Sequence, residues 1–348
     1  EAGIMLDSVT GIIKITRFSA TTYEEFAKVL ASLKRQGMQK LIVDLRQNSG
    51  GYMEPAKMIA DEFLSGDKLI VMTKGVNSMA RKYVAGETSD FEEGKLAILV
   101  DEQSASASEI LAGAIQDWDR GVIIGRRTFG KGLVQDQFDL EDGSALRLTI
   151  AKYYTPSGRS VQRSFGDGRD EYDKDFLKRY QSGELTGFDT SNNMDTTRYY
   201  TAGKRLVYGG GGINPDVYVP YDTNKLSPSL LNLIFSDDVK TTVWDYYIKN
   251  RLALKGYKSV KEFDKKFSAD TLVQMYLKQQ DRRTRKVVEL LLKKEHNKSF
   301  FALQMKAQLA RMLFRDNGYY SITYKYDNMV KKALEVLKDP AYSAIISR

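Results

Sequence analysis

Short apolar runs alternate with helical patterns through the first 150 residues, and this alternation limits the possible folds more than any other feature. Continuous apolar runs bounded by turn residues indicate buried strands, and spacing near 3.6 indicates helices. The strand runs lie at 11–16, 41–45, 69–73, 96–100 and 121–125, and helical spacing appears at 55–64 and 106–118. Strands that alternate with helices predict an α/β layered core.

The pattern changes along the rest of the chain. Residues 133–138 and 145–153 alternate as a pair of strands, and the polar stretch 157–205 predicts a loop excursion before a short strand at 217–219. From residue 225 onward the spacing is helical, at 243–254, 271–294, 300–314 and 329–337. We therefore predict a core domain of residues 1–224 and a mostly α-helical C-terminal domain of residues 225–348.

The charge is divided in the same way. The formal net charge is +8, but residues 225–348 hold 25 Lys and Arg against 13 Asp and Glu, whereas residues 1–224 hold 28 basic and 32 acidic residues. Such asymmetry indicates two units with different surroundings. Solvated helix faces explain the basic region best, with an anionic surface or partner as the alternative. Without a recognised binding motif, we expect no nucleic-acid binding.

The residue types present exclude several kinds of site. The 348 residues include no Cys and one His, His296. No disulfide, thiolate zinc site or cysteine nucleophile is therefore possible, and one His cannot form a multi-His metal site. His296 lies in a highly charged stretch, which is typical of a solvated surface. An enzyme of this composition must transfer protons through Lys, Asp, Glu or Tyr, and we expect no metal and no cofactor.

A serine-rich segment follows one of the buried strands. It reads Ser104-Ala105-Ser106-Ala107-Ser108-Glu109 and opens a helix. The free N–H groups at a helix start, together with the positive end of the helix dipole, are suited to binding an oxyanion. Serine is also a preferred N-cap residue, so local sequence alone favours a structural role.

A glycine-rich segment follows the next strand. Residues 125–132, Gly125-Arg126-Arg127-Thr128-Phe129-Gly130-Lys131-Gly132, nearly match a phosphate-binding loop. Gly132 replaces the hydroxyl residue that such a loop needs, and a strand follows where the motif requires a helix. Nucleotide binding through Gly125–Lys131 is therefore an unfavoured alternative.

Together the two segments provide a serine and a lysine. A lysine amine becomes a base when apolar surroundings disfavour its charged form. Lys131 lies between Phe129 and Leu133, and Gln135 lies four residues on, which is the same face of a strand. We therefore expect Gln135 to orient the Lys131 amine.

Three motifs in order resemble one known family. Asp44-Leu45-Arg46-Gln47-Asn48-Ser49-Gly50-Gly51, the segment 104–109 and Thr128-Phe129-Gly130-Lys131-Gly132-Leu133-Val134-Gln135 are similar to motifs of the carboxy-terminal processing proteases. These are serine peptidases with a ClpP/crotonase-like core. The resemblance covers residues 10–223 and implies that fold for this chain.

The resemblance also implies roles for individual residues. Ser106 matches the nucleophile, Lys131 the general base and Gln135 the residue that orients the base. Gly51 and Ala107 match the backbone donors of the oxyanion hole, with Gly50 as a one-residue alternative. Ser104 and Ser108 are then turn and cap residues, and Glu109 is a structural or helix-start charge. We expect Asp44 and Arg46 to position the turn at Gly50 and Gly51.

The implied function is a Ser–Lys endopeptidase that cleaves proteins near accessible C-termini through an acyl-enzyme, with activity that rises with pH. The resemblance implies a bacterial envelope location, in the periplasm, with an envelope adaptor or an anionic surface as a further partner. The chain begins at Glu1, and no signal peptide is evident. The family commonly carries a PDZ domain upstream of the core. No PDZ-like segment is recognisable, so it was either removed or replaced by another means of recognition.

A catalytically silent peptide- or lipid-binding relative of the same fold is the main alternative. The presence of Ser106, Lys131 and Gln135 together disfavours it, because a binding module needs none of the three.

Overall fold

The computed structural model describes residues 1–86, 90–165, 168, 174–187, 197–221, 227–338 and 340–347. The chain forms two compact units, one of Gly3–Pro220 with Lys332–Arg348 and one of Tyr221–Lys331. The strands described are, in chain order, β1 (Ala2–Met5), β2 (Thr10–Lys14), β3 (Lys40–Asp44), β4 (Leu69–Lys74), β5 (Arg81–Val84), β6 (Lys95–Val100), β7 (Val122–Gly125), β8 (Leu133–Asp139), β9 (Ala145–Tyr154), β10 (Arg198–Tyr200), β11 (Leu206–Tyr208) and β12 (Val217–Tyr218).

The helices described are α1 (Thr22–Arg35), α2 (Met53–Asp61), α3 (Ala107–Asp117), α4 (Asp175–Gln181), α5 (Pro228–Ile234), α6 (Asp237–Lys249), α7 (Arg251–Leu254), α8 (Val260–Lys266), α9 (Asp270–Gln279), α10 (Arg282–Leu291), α11 (Glu295–Thr323), α12 (Asn328–Val336) and α13 (Ala341–Ile346). A 3₁₀ turn covers Tyr324–Tyr326. None of the helices within the described ranges combines the length and the apolar character needed to cross a bilayer.

A six-stranded sheet forms the centre of the first unit, in the order β1-β2-β3-β6-β7-β12. Strands β2, β3, β6, β7 and β12 pair in parallel. Their apolar residues are buried, as is typical of a parallel sheet covered on both faces. The α/β core predicted from the apolar runs is confirmed. The parallel order also brings the carboxyl ends of β3, β6 and β7 to one edge, where binding sites commonly form.

A second, antiparallel sheet has the order β5-β4-β9-β8. Strands β8 and β9 are the predicted strand pair. Most of β8 is exposed, and β8 is an outer strand of this sheet. The inner end of β9 is buried, and Tyr153 there is 1% exposed. The second sheet belongs to the same unit and buries Tyr153 at the inner end of β9.

The stretch 157–205 contains more structure than the predicted loop excursion. Its described part includes α4, and β10 pairs with β11 in an antiparallel hairpin. Arg163 and Asp175 form an ion pair of 2.6 Å that ties the start of α4 to the preceding segment. Buried ion pairs, which have no simple sequence periodicity, hold this region together.

The C-terminal residues 332–348 belong to the first unit, whereas the sequence analysis placed them with the helical region. The Leu96 N–H donates to the Tyr342 hydroxyl, which in turn donates to the Arg120 carbonyl, both at 3.2 Å. The Lys95 amine also donates to the Leu337 carbonyl at 3.3 Å. These contacts explain the difference. The division at residues 224 and 225 stays a prediction.

The second unit is helical, as predicted, but its helix bounds differ. The expected helix 271–294 is two helices, because the Asp281 carboxylate caps α10 by accepting from the N–H groups of Arg283 and Thr284 at 2.8 and 3.2 Å. The expected helix 300–314 is the longer α11, which bends where Arg315 takes a φ of 56°. Aromatic packing fills the core, with the rings of Phe263 and Phe267 stacked at 4.9 Å.

Candidate active site

Three turns meet at the carboxyl edge of the main sheet. The first follows β3 and contains Asn48, Gly50 and Gly51; the second follows β6 and leads to Ser106; the third follows β7 and leads to Lys131. The Ala105 N–H donates to the Asn48 carbonyl at 3.0 Å, which joins the first two turns. The Phe129 N–H donates to the Ser104 carbonyl at 3.0 Å, which joins the second and third. The sheet thus assembles all the predicted site segments except Gln135 at one edge.

Ser106 has a strained backbone at the start of α3. Its φ is 55° and its ψ is −113°, a conformation that side chains with a Cβ rarely adopt. Such strain costs about 1–3 kcal/mol and persists only where the surrounding contacts hold it. The residue is half-buried, so its hydroxyl can be reached from solvent. A strained, accessible serine at a helix start is suited to act as a nucleophile.

Glu109 holds the strained segment and the third turn together. Its buried carboxylate accepts from the N–H groups of Ser106 and Lys131, both at 2.9 Å, through one oxygen. The other oxygen accepts from the Thr128 hydroxyl at 2.5 Å and the Gly130 N–H at 2.7 Å. Burial raises the pKa of Glu109, although these hydrogen bonds oppose the rise. One carboxylate therefore connects the peptide groups of the candidate nucleophile and base.

Tyr153 makes a second connection between the same two residues. Its hydroxyl lies 2.8 Å from the Lys131 carbonyl oxygen and 3.1 Å from the Ser106 carbonyl oxygen. The ring is buried at the inner end of β9. Sequence reasoning missed this residue, since nothing in a strand pattern indicates which tyrosine hydroxyl lies beside a loop 22 residues away.

The backbone groups of Ser106 and Lys131 are hydrogen-bonded, as described above, but their side chains are not joined in the same way. Lys131 is half-buried, and is thus more open to solvent than the sequence predicted. Gln135 lies on β8 and is exposed. The structure describes no hydrogen bond that joins the Ser106 hydroxyl, the Lys131 amine and the Gln135 amide. The orienting role of Gln135 stays a prediction.

The two glycine alternatives for the oxyanion hole differ in their N–H groups. The Gly50 N–H donates to the Asn48 side chain at 2.9 Å, so it is already engaged. No hydrogen bond is described for the Gly51 N–H, and the Ala107 N–H, as the first of α3, has no partner within the helix. A Cβ on Gly50 would lie 2.8 Å from the Ser106 Cβ, so the turn packs directly against the serine. The pairing of Gly51 with Ala107 as oxyanion donors, with Gly50 as the alternative, stays a prediction.

Asn48, which the sequence analysis did not select, anchors this glycine turn. Its side-chain NH₂ group donates to the Ile15 carbonyl at 2.9 Å, and its backbone carbonyl oxygen accepts from the Ser108 hydroxyl at 2.9 Å. Asn in a Gly-rich turn often bonds to the backbone two residues on, and this signal could have identified it. Ser104 donates to the Leu45 carbonyl at 2.9 Å. Ser104 thus has a turn contact, as expected, whereas Ser108 lies inside α3 and Ser106 is the N-cap residue, so the cap role expected of Ser108 is wrong.

A buried cluster of charged side chains lies at the end of β3, where the turn that contains Gly50 and Gly51 begins. Arg46 donates to Asp44 through Nε at 3.0 Å and Nη2 at 2.7 Å. The Lys14 amine contacts both the Asp44 carboxylate and the Arg46 carbonyl. Burial alone would raise the pKa of Asp44, but Arg46 and Lys14 together hold that pKa well below its usual range. Asp44 therefore stays ionised and keeps the end of β3 in place.

The third turn does not have the features of a nucleotide site. The Gly130 and Lys131 N–H groups, which would hold a phosphate, already donate to Glu109. A strand, β8, follows the loop, as the sequence predicted. Arg126 is buried and donates to Glu102 at 2.8 Å. The loop is therefore organised around an internal carboxylate.

Two segments of the chain match models of protein families. Residues 9–168 match peptidase family S41. Residues 231–316 match a second family, DUF8443, which is described as a family of unknown function. The candidate site therefore lies within the peptidase match, and the helical unit contains the second match.

Curated relatives match the same part of the chain. A carboxyl-terminal-processing protease of Synechocystis sp. is 40% identical over 154 residues, which are 44% of this chain and 35% of the relative. A chloroplastic carboxyl-terminal-processing peptidase of Arabidopsis thaliana is 42% identical over 157 residues, which are 44% of this chain and 30% of the relative. The chain thus spans about a third of the length of these relatives.

A solved photosystem II D1 C-terminal processing protease is 35% identical, with a TM-score of 0.41, over 44% of this chain and 39% of that protein. The resemblance predicted from the three motifs is confirmed: over residues 9–168 this chain matches peptidase family S41 and is similar to carboxyl-terminal processing proteases.

Proposed function

We propose that this chain is a serine endopeptidase that uses Ser106 and Lys131 as a dyad. The observation that carries the proposal is the shared anchoring of these residues: the peptide N–H groups of both donate to one buried carboxylate, Glu109. A strained serine at a helix start and a lysine held beside it are the parts that Ser–Lys acyl transfer requires.

In this mechanism the neutral Lys131 amine accepts the Ser106 hydroxyl proton as Oγ attacks the scissile carbonyl carbon. The oxyanion accepts hydrogen bonds from the N–H groups of Gly51 and Ala107. The C–N bond then breaks, and the Lys131 ammonium gives its proton to the leaving amine. Water then attacks the acyl carbonyl carbon, and Lys131 takes a proton from it. The ester C–O bond breaks, and the Lys131 ammonium returns that proton to the Ser106 Oγ. Gln135 acts by orienting the Lys131 amine.

The proposed substrates are proteins cut near accessible C-termini. The names of the relatives above support this class. Strand β8 begins two residues after Lys131 and is an outer, largely exposed strand of its sheet. An extended substrate segment can pair with such an edge through main-chain hydrogen bonds, which recognise shape without requiring a fixed sequence.

The decisive experiment compares wild type with Ser106→Ala on casein and on a reporter with an unstructured C-terminal tail. We expect the variant to lose at least about 10³-fold in kcat/KM, because the nucleophile is absent. Ser104→Ala is the matched control, since that hydroxyl makes a structural contact. Equal cleavage by wild type and Ser106→Ala would contradict the proposal.

The alternatives make different predictions in the same assay. A catalytically silent peptide- or lipid-binding relative would bind the tail and cleave it in neither form of the protein. A nucleotide-binding protein would give heat on titration with Mg-ATP, and we expect none because Glu109 occupies the N–H groups of the loop.

We further propose that the helical unit binds an anionic membrane surface. Trp244, Ile248 and Leu252 are 52%, 50% and 87% exposed at helical spacing along α6 and α7. The flanking basic residues are Lys249, Arg251 and Lys255. Tryptophan and aliphatic side chains beside lysine and arginine suit the interface of an anionic bilayer.

Co-sedimentation of the full chain with phosphatidylglycerol vesicles, but not with phosphatidylcholine vesicles, tests this proposal. Trp244→Ser should reduce the binding, and equal sedimentation with both lipids would contradict it. On the resemblance we also propose a periplasmic location in the bacterial envelope, together with a protein adaptor there. Cell fractionation that recovered the protein in the cytoplasm would overturn that location.

A further inference from the structure

We infer that Tyr153 is a positioning residue for Lys131: its hydroxyl holds the peptide group of the base against that of Ser106. The inference rests on the function proposed above, because it assigns a role within the Ser106–Lys131 pair. The contacts described for the Tyr153 hydroxyl are with backbone carbonyl oxygens. It acts by fixing the point from which the lysine side chain extends.

The contacts identify the acceptor of the tyrosine proton. The Ser106 carbonyl already accepts from the N–H groups of Glu109 and Ile110, at 2.8 and 3.0 Å, as part of the helix start. The Tyr153 hydroxyl is the donor that the structure describes for the Lys131 carbonyl, at 2.8 Å. A phenol has one proton to donate. That proton therefore points mainly to the Lys131 carbonyl, and the Ser106 carbonyl, at 3.1 Å, shares it as a second and longer acceptor.

The backbone of Tyr153 strengthens the arrangement. Its N–H donates to the Gly132 carbonyl at 2.9 Å. The Gly132 N–H donates to the Gln162 side chain at 2.8 Å, and the Lys131 N–H donates to Glu109 at 2.9 Å. Every backbone polar group of Lys131 and Gly132 thus has a partner, and Tyr153 supplies two of the four. Only the lysine side chain is left to move.

Holding the Lys131 backbone in place matters because a lysine side chain has four rotatable carbon–carbon bonds and can adopt many conformations. Proton transfer requires a narrow range of distance, and an error of about 1 Å can cost about 100-fold in rate. A buried hydroxyl is also costly unless it is hydrogen-bonded, and Tyr153 is 1% exposed. A phenylalanine would fill nearly the same space without the hydroxyl, so what the tyrosine adds at this position is the hydrogen bond to the Lys131 carbonyl.

The test compares Tyr153→Phe with Tyr154→Phe, the neighbouring tyrosine on β9 that takes no part in these contacts. A fluorophosphonate probe reacts with an activated serine: an Oγ–P bond forms, fluoride leaves, and the Oγ proton passes to the base. The final amplitude of labelling measures the fraction of folded sites, and the rate constant measures their geometry.

We expect the labelling rate constant of Tyr153→Phe to fall about 10- to 100-fold, with kcat falling in parallel and KM changing less than about twofold. Tyr154→Phe should label at the wild-type rate. A purely structural role would lower the amplitude and the thermal midpoint while leaving the rate constant unchanged, and that result would overturn the inference.

A second variant covers a failure to fold. Tyr153→4-aminophenylalanine retains a donor at the same place, so it should fold and label within about threefold of wild type. A folded but slow form of this variant would also contradict the inference. Ser106→Ala is measured alongside: if it still cleaves peptide, the proposed function fails; if it is inactive while Tyr153→Phe is unimpaired, only the present inference fails.

Discussion

At the scale of single residues, a buried carboxylate governs the candidate site. Glu109 accepts hydrogen bonds from two peptide N–H groups that the chain would otherwise offer to a ligand, those of Gly130 and Lys131, and from the strained Ser106. The local sequence indicates only a helix-start charge at this position. The contacts give it a larger structural role, because it joins segments that lie 22 residues apart.

The raised pKa of Glu109 has a consequence for stability. The folded protein binds the Glu109 proton more tightly than the unfolded chain does, so wild type should lose stability as pH rises from the ordinary glutamate value of 4.5 towards the folded value. Glu109→Gln lacks this titration. The thermal midpoint of wild type relative to Glu109→Gln should therefore decrease with rising pH over that range, as followed by calorimetry. A difference that grew with pH would contradict the burial effect.

The residues that could be predicted from sequence differ physically from those that could not. Ser106 and Lys131 stand in local motifs whose residue types suit a reaction. Asn48 and Tyr153 act through hydrogen bonds to partners between 22 and 60 residues away, and the registers that align them are set by tertiary packing. Local patterns contain no information about such distant pairs.

At the scale of elements, the short helix α4 holds the loop that carries Lys131. From α4, Arg179 donates to the Arg127 carbonyl at 2.6 Å and to the Glu184 carboxylate at 3.0 Å. Arg127 donates to the same carboxylate through two nitrogens, at 2.8 and 2.9 Å. Burial alone would raise the pKa of Glu184, but hydrogen bonds and charge from Arg127 and Arg179 lower it. The helix is thus part of the support for the third turn.

Removing one member of this buried network should be costly. We expect Arg179→Gln to lower the free energy of unfolding by about 3–5 kcal/mol, because the Glu184 carboxylate and the carbonyls of Arg127 and Thr128 lose a partner. Peptidase activity should fall as the loop loosens. The exposed residue Gln181 of the same helix provides the control, and Gln181→Ala should change the free energy of unfolding by less than about 0.5 kcal/mol. Equal stability of the two variants would show that α4 contributes nothing to the loop.

Elements were predictable where burial imposes a pattern. The apolar runs of β3, β6 and β7 were identified because a covered parallel sheet requires them. The edge strand β5, the hairpin of β10 and β11, and α4 were missed, because exposed faces and ion pairs leave no apolar period to detect.

At the scale of the whole molecule, the C-terminal residues 332–348 belong to the same unit as residues 3–220. The Tyr342 hydroxyl is bonded to the peptide groups of Leu96 and Arg120, and burial raises its pKa. The basic helical region between residues 221 and 331 is thus preceded and followed in sequence by segments of the first unit.

The contribution of the C-terminal segment to the stability of the first unit can be tested without changing a residue of the candidate site. Tyr342→Phe should lower the unfolding free energy of the first unit by about 1–3 kcal/mol, because a buried N–H and a carbonyl lose their partner. Tyr326→Phe, at a tyrosine that is 61% exposed, should have no effect. Calorimetry of both variants provides the measurement. An unchanged midpoint for Tyr342→Phe would mean that the C-terminal segment does not stabilise this unit.

The hydroxyl of Tyr153 has a final consequence for how such an enzyme is made. Ser106 and its base are complete only when β9, whose buried tyrosine lies 47 residues after the serine, has joined its sheet. A partly folded chain contains both residues but lacks the hydrogen bonds of Tyr153 that fix their peptide groups. If the proposed function holds, we expect full serine reactivity to appear only after β9 has joined its sheet, so that a partly folded chain would cut its own segments slowly.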